Sequence, residues 1–142
     1  MKILFVCKWN RFRSRTAEAY FKKINKNKKI TAESAGIFIG SYPLDKIQIK
    51  VAKEFGININ GMPRAISAKL LNKTDLIVIT ADDVSESLFT PKLQRVIKWN
   101  IPDVEKAGEE KKDRKIMKKI FKKIDRLNNE IKNKGEKIKW KQ

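Results

Sequence analysis

Apolar residues fall along this chain in two kinds of run, and their alternation predicts the elements. Ile3-Leu4-Phe5-Val6 is an unbroken apolar stretch of strand length, the pattern of a strand covered on both faces in a parallel sheet. From Arg15 to near Asn27 the period changes. Ala17, Tyr20, Phe21 and Ile24 recur at spacings of three and four, which predicts an amphipathic helix closed by lysines and asparagines. Ile30 to Ala35 is a weaker strand pattern, stopped by Gly36. A second helix is predicted to open at Gly40-Ser41-Tyr42-Pro43, with Pro43 in its first turn and Gly56 at its C-terminal cap. Asn58 to Pro63 reads as a surface turn, and Ser67 as the cap of a short helix burying Leu70 and Leu71. Leu76-Ile77-Val78-Ile79 is the clearest internal strand. Asp82 or Asp83 is placed to cap a helix ending near Phe89-Thr90-Pro91. A fourth strand follows at Arg95 to Trp99, then a loop with Pro102-Asp103. The last helix carries Ile116, Ile120, Ile124, Leu127 and Ile131 on one stripe with lysines opposite, and residues 134–142 read as a basic tail.

Strands alternating with helices predict an α/β fold: one three-layer domain over residues 1–142, a four-stranded parallel sheet flanked by helices. In such folds ligands gather at the carboxyl ends of the strands. Cys7, the pair Asp82 and Asp83, and Asp103 each follow a strand and Ser34 ends another, so they are expected on one rim.

Composition narrows the chemistry. The chain has 142 residues, one cysteine and no histidine. One cysteine excludes an intramolecular disulfide framework, and the missing histidine removes every Ser-His or Cys-His catalytic pair. No Cys/His cluster resembles a metal site, and no apolar run approaches the roughly 18 residues that span a bilayer. The expected setting is cytoplasmic, with a free thiol. Lys+Arg of 34 against Asp+Glu of 16 gives a net charge of +18. That excess has two readings: solvated helix faces, or attraction to phosphorylated substrates, nucleic acid or acidic lipid.

The densest chemistry lies at Cys7-Lys8-Trp9-Asn10-Arg11-Phe12-Arg13-Ser14, between the first strand and the first helix. A strand, a tight loop and a helix N-terminus form an anion site, because unpaired amide N–H groups point one way. A thiol at the base of that loop sits in positive potential from the amides and from Arg13, which favours a nucleophilic thiolate. The Ser14 hydroxyl is placed to donate to the sulfur, and Asn10 tolerates the left-handed backbone that such loops demand. A bare C-x5-R spacing arises often by chance; its place between strand and helix makes it specific. A strand-end cysteine serving only as a small buried hydrophobe is the competing reading.

Val6 through Ala19 resembles the active-site signature of the low-molecular-weight protein tyrosine phosphatases. The likeness extends to Ser34-Ala35-Gly36, Gly56-Ile57-Asn58-Ile59, Thr74 to Ile79, and Pro102-Asp103, in the family's order. The resemblance implies a phosphatase acting on phosphomonoesters, protein phosphotyrosine first among them, through a cysteinyl-phosphate. Cys7 would attack phosphorus while Arg13 and the loop Lys8, Trp9, Asn10, Arg11 and Phe12 hold the phosphoryl oxygens. Asp103 would be general acid and then general base; position alone would make it a loop or cap aspartate. Asn10, Ser14 and Ser34 would form the supporting network. No cofactor or metal is implied, and the expected partner is a phosphorylated protein or small phosphomonoester.

The sequence also departs from the family pattern. Trp9 stands where glycine is common, and Phe12 where many members carry a second cysteine that protects the nucleophile by a disulfide, so Cys7 is exposed to irreversible oxidation. Met62 aligns with a histidine that often supports the loop, and Val104-Glu105 replace the proline and aromatics that grip a phosphotyrosine ring in eukaryotic-type members. Thioredoxin-coupled arsenate reductases need two further cysteines, which this chain lacks. Phosphoarginine phosphatases are a closer alternative, opposed by Lys8, Arg11 and Arg15 around the loop. A non-catalytic basic protein binding polyanions is the alternative outside enzymes, with Trp99 and Trp140 as base-stacking candidates.

Overall fold

The computed structural model describes residues 1–89, 95–106 and 108–134. Four strands form one parallel sheet: β1 (Lys2–Cys7), β2 (Thr31–Gly36), β3 (Leu76–Ile79) and β4 (Arg95–Lys98), in the order β2-β1-β3-β4. The register sets Cys7 beside Gly36 and Val6 beside Ile79. β1 is therefore flanked on both sides, and its residues Ile3 to Cys7 are all buried, as the apolar run requires.

Alternate strand residues feed two cores. Ile3, Phe5 and Val78 face α1 (Arg13–Ile24), α2 (Lys46–Glu54) and α4 (Glu110–Lys134) through Phe21, Val51, Ile120 and Ile124. Leu4, Val6, Ile77 and Ile79 face the opposite side, toward Val84, Phe89 and the short α3 (Ala68–Asn72). Three layers result, as the alternation of patterns predicts. α1 and α4 are joined by Tyr20, whose ring stacks on Phe121 at 4.2 Å and whose hydroxyl donates to Asp125 at 2.7 Å. Trp99 packs on Phe5 in the core, which removes it as a base-stacking surface. Trp140 and the tail from residue 135 lie outside the described residues, as do Thr90 and Pro91.

Two helix expectations change. The second helix does not begin at Pro43. Asp45 is its cap, its carboxylate accepting from the Ile47 and Gln48 amides at 2.9 Å each, and an aspartate fills that role where proline has no acceptor to offer. Gly56 does close it, at φ +77. After β3, neither Asp82 nor Asp83 caps a helix. Among the described residues of that stretch a single 3-10 turn forms, Glu86–Leu88, capped by Ser85, and both aspartates turn toward Arg13 instead.

Candidate active site

β1 ends at Cys7 and α1 begins at Arg13, so residues 8–12 must reverse direction in five residues. Asn10 makes that turn possible with φ +54, the left-handed region that asparagine enters more readily than other side-chain-bearing residues. Gly36 makes room for it. A Cβ there would lie 2.6–2.8 Å from Phe38 O, the Asn10 amide nitrogen and the Trp9 carbonyl carbon, so the loop can lie against β2 only over a glycine. At the start of α1, Phe12 occupies the cap position and offers no side-chain acceptor, and the first turn holds no acidic residue. The leading amides of that twelve-residue helix are therefore left for an anion.

Behind the loop lies a closed hydrogen-bond network. Fully buried Asn10 donates through Nδ2 to Ser14 Oγ at 2.8 Å and to Ser34 Oγ at 3.0 Å. Its Oδ1 accepts from the Arg64 amide at 3.0 Å and from Arg15 Nη1 at 3.3 Å. Because Oδ1 faces two donors, the amide can take only this orientation. Ser14 Oγ is thus an acceptor toward Asn10, and its single proton is free to point at Cys7 Sγ, 3.0 Å away. Ser34 passes its own proton to Glu18 Oε1 at 2.5 Å.

In front of the loop is a cleft of about 190 Å³, lined by Cys7, Trp9, Arg11, Phe12, Arg13, Asp45, Gln48, Asp103 and Val104. Cys7 is unpaired and buried at its base. Arg13 is only 2% exposed, a guanidinium held inside the fold by the Ile101 carbonyl at 3.0 Å, by Asp83 at 3.0 Å, and by Asp82 and Asp103 at 3.5 Å each. A buried arginine requires such counter-charge. Trp9, 42% exposed, forms one wall and packs on Phe38 outside the lining, their ring centres 5.2 Å apart. Arg11 lines the cleft but is anchored by the carbonyls of Ser41 and Pro43, each at 3.0 Å. Lys8 lies outside the lining, its ammonium 5.6 Å from the Trp9 ring centre.

The structure thus gathers Cys7, Trp9, Arg11, Phe12, Arg13 and Asp103 around one cleft, and sets Asn10, Ser14 and Ser34 behind it. Arg15, expected around the loop as a charge that repels a guanidinium substrate, faces the back of the loop, away from the cleft lining. Met62 is 68% exposed, and only its backbone carbonyl meets the network, through Arg15. Sequence reasoning missed Glu18, Arg64, Asp45 and Gln48. Glu18 reads as the polar face of a helix, and Gln48 is a buried polar residue among apolar ones, a signal that could have marked it.

Comparison with known proteins agrees with this geometry. A protein tyrosine phosphatase from Entamoeba histolytica superposes with TM-score 0.80 at 25% identity, covering 94% of this chain and 97% of that one. An arsenate reductase from Archaeoglobus fulgidus gives 0.73 at 26%, over 90% and 99%. The YwlE arginine phosphatase from Geobacillus stearothermophilus gives 0.82 over 99% of both chains; at 19% identity it speaks to the fold alone. The family model for low molecular weight phosphotyrosine protein phosphatase matches residues 2–137, nearly the whole length. A strand-loop-helix anion site with a thiol at its base, on this sheet order, thus has a family to go with it: the chain belongs to the low molecular weight phosphotyrosine protein phosphatases.

Proposed function

We propose that the chain is a cysteine-dependent phosphatase that hydrolyses phosphomonoesters, aryl phosphates such as protein phosphotyrosine in particular. One observation carries the reading: Cys7, Arg13 and Asp103 line the same cleft at the open N-terminus of α1. The Cys7 thiolate attacks phosphorus in line, forming an S–P bond as the P–O bond to the leaving group breaks. Arg13 and the loop amides hold the three equatorial oxygens. Asp103, protonated for this step, gives its proton to the leaving oxygen. In the second step it takes a proton from water, the water oxygen displaces sulfur, and inorganic phosphate leaves with the thiolate restored. Asp82 and Asp83 are the other carboxylates near Arg13, but both lie outside the cleft lining, which supports Asp103. Trp9 and Val104 give apolar walls suited to an aromatic leaving group.

A phosphoarginine substrate is the second reading, supported by the Asp45 carboxylate in the cleft wall and opposed by Arg11. That carboxylate is already engaged as the cap of α2, which favours the aryl phosphate. A cytoplasmic setting belongs to the proposal, supported by the free thiol; no helix among the described residues is long and apolar enough to cross a membrane. Exposed lysines of α4 support an accessory, salt-sensitive attraction to polyanions.

The test is hydrolysis of p-nitrophenyl phosphate by the wild type and by Cys7→Ser and Asp103→Ala. Turnover is expected for the wild type and absent for Cys7→Ser. Asp103→Ala slows poor leaving groups most. Equal turnover by Cys7→Ser overturns the covalent route, and an Asp103→Ala effect independent of the leaving group moves the acid elsewhere. A phosphoarginine peptide turned over faster than a phosphotyrosine peptide would select the second reading.

A further inference from the structure

We infer that Arg15 is a positioning residue of this site: its guanidinium, clamped behind the loop, fixes the Asn10 amide and through it the hydroxyl that faces the Cys7 sulfur. Arg15 lies one residue beyond the Cys7–Ser14 stretch, on the first turn of α1, and its three contacts reach two other parts of the chain, the loop at Asn10 and the turn at 59–62. Nε donates to the Ile59 carbonyl at 2.6 Å, and Nη1 donates to the Met62 carbonyl at 3.2 Å and to Asn10 Oδ1 at 3.3 Å. One planar, five-donor group thereby ties the helix to the loop and to the turn at 59–62.

Space for it is provided by Gly61. A Cβ at that residue would sit 2.4 Å from Arg15 Nη2, so a side-chain-bearing residue there would have to push the guanidinium aside. Burial holds the Arg15 guanidinium below its ordinary value, and the neighbouring Arg64 charge acts the same way; Glu18 and Cys7 oppose them. The main effect, however, is geometric. With Oδ1 held by Arg15 and the Arg64 amide, Asn10 Nδ2 must face Ser14 and Ser34, and Ser14 must then spend its proton on Cys7. Remove Arg15 and one of the two donors that fix this orientation is gone, at a residue already in the left-handed region.

Three variants test the inference: Arg15→Met, Arg15→Lys, and Gly61→Ala, which keeps the arginine but crowds its guanidinium and strains the turn at φ +150. Two readouts are used. The first is the pH profile of Cys7 alkylation by iodoacetamide, which needs no turnover. The second is kcat and KM on p-nitrophenyl phosphate, which rests on the phosphatase reading. Arg15→Met is expected to move the alkylation profile alkaline by about half a pH unit or more and to lower kcat about tenfold with a smaller change in KM. Gly61→Ala should reproduce the direction of both shifts. Arg15→Lys, which keeps the charge but not the fork, should recover the alkylation profile in part and kcat little. An unchanged alkylation profile in both Arg15→Met and Gly61→Ala overturns the inference, and full recovery of both readouts by lysine reduces Arg15 to a point charge and overturns positioning. A wild type that alkylates as expected but does not turn over p-nitrophenyl phosphate counts against the phosphatase reading alone.

Discussion

Asn10 combines a left-handed backbone with a fully buried, fully engaged amide, and two substitutions separate these contributions. Asn10→Gly removes the side chain and relieves the backbone; Asn10→Ala removes nearly the same side chain while keeping a Cβ at φ +54. Both lose four hydrogen bonds, to Ser14, Ser34, the Arg64 amide and Arg15. At about 1 kcal/mol net for each, with added cost where a buried partner stays unsatisfied, the shared loss is about 4 kcal/mol. Glycine offsets roughly 1 kcal/mol of it, because a left-handed conformation costs an alanine about 1–2 kcal/mol. The expected losses are thus about 3 kcal/mol for glycine and about 4 for alanine. Urea unfolding at neutral pH measures both, with equal m-values as the condition for comparing them. In a domain of this size the larger loss lowers Tm by about 8–16 °C. Alanine as stable as glycine would refute the strain argument. Losses below about 1 kcal/mol in both would refute the view that the network's hydrogen bonds contribute to stability.

Other perturbations address the scaffold. Asp45→Ala should destabilise the fold by about 1 kcal/mol in thermal unfolding through loss of the α2 cap, and Asp45→Asn should recover most of it. Tyr20, whose hydroxyl is pushed up to about 12 by burial and by its hydrogen bond to Asp125, links α1 and α4. A group raised in the folded state supplies stability below its unfolded value, near 10, and loses it as pH climbs toward 12. Alkaline titration of stability should therefore fall more steeply for wild type than for Tyr20→Phe, by up to about 1 kcal/mol after screening at this partly exposed site. Asp113 is buried on α4 with one oxygen unpartnered, and burial raises its carboxyl while its bond from Gln48 opposes. Ionising it costs stability as pH rises through its folded value, so Asp113→Asn should gain on wild type in Tm between pH 4 and pH 7.

What the chain revealed in advance depended on how local each determinant was. β1 and β3 were legible because strands buried on both faces leave continuous apolar runs, and the anion loop because Cys7, Asn10, Arg13 and Ser14 are close in sequence. The helix expected after β3 failed for a tertiary reason: the two aspartates that resemble caps are drawn to a buried arginine 69 and 70 residues away. Asp45 was overlooked because Pro43 is an equally good start signal by composition alone. Arg15 enters the sequence reading only as a charge around the loop, and Arg64 not at all; the contacts that place them reach 44 and 54 residues, to Ile59 and Asn10, and no spacing rule reaches that far.

The central place of β1 in the sheet also says something about how the chain acquires activity. Its thiol loop is made from the first strand and helix, yet Arg13 finds its counter-charges 69 to 90 residues later, and β1 needs β3 on one side and β2 on the other. Closing those long loops comes with an entropic cost that is recovered only when the non-local strands pair. A nascent or refolding chain therefore carries its Cys7 thiol from the start without a cleft around it. Recovery of enzymatic turnover should coincide with the slowest structural phase of refolding, and a chain truncated before Leu76 should hold the whole signature and hydrolyse nothing.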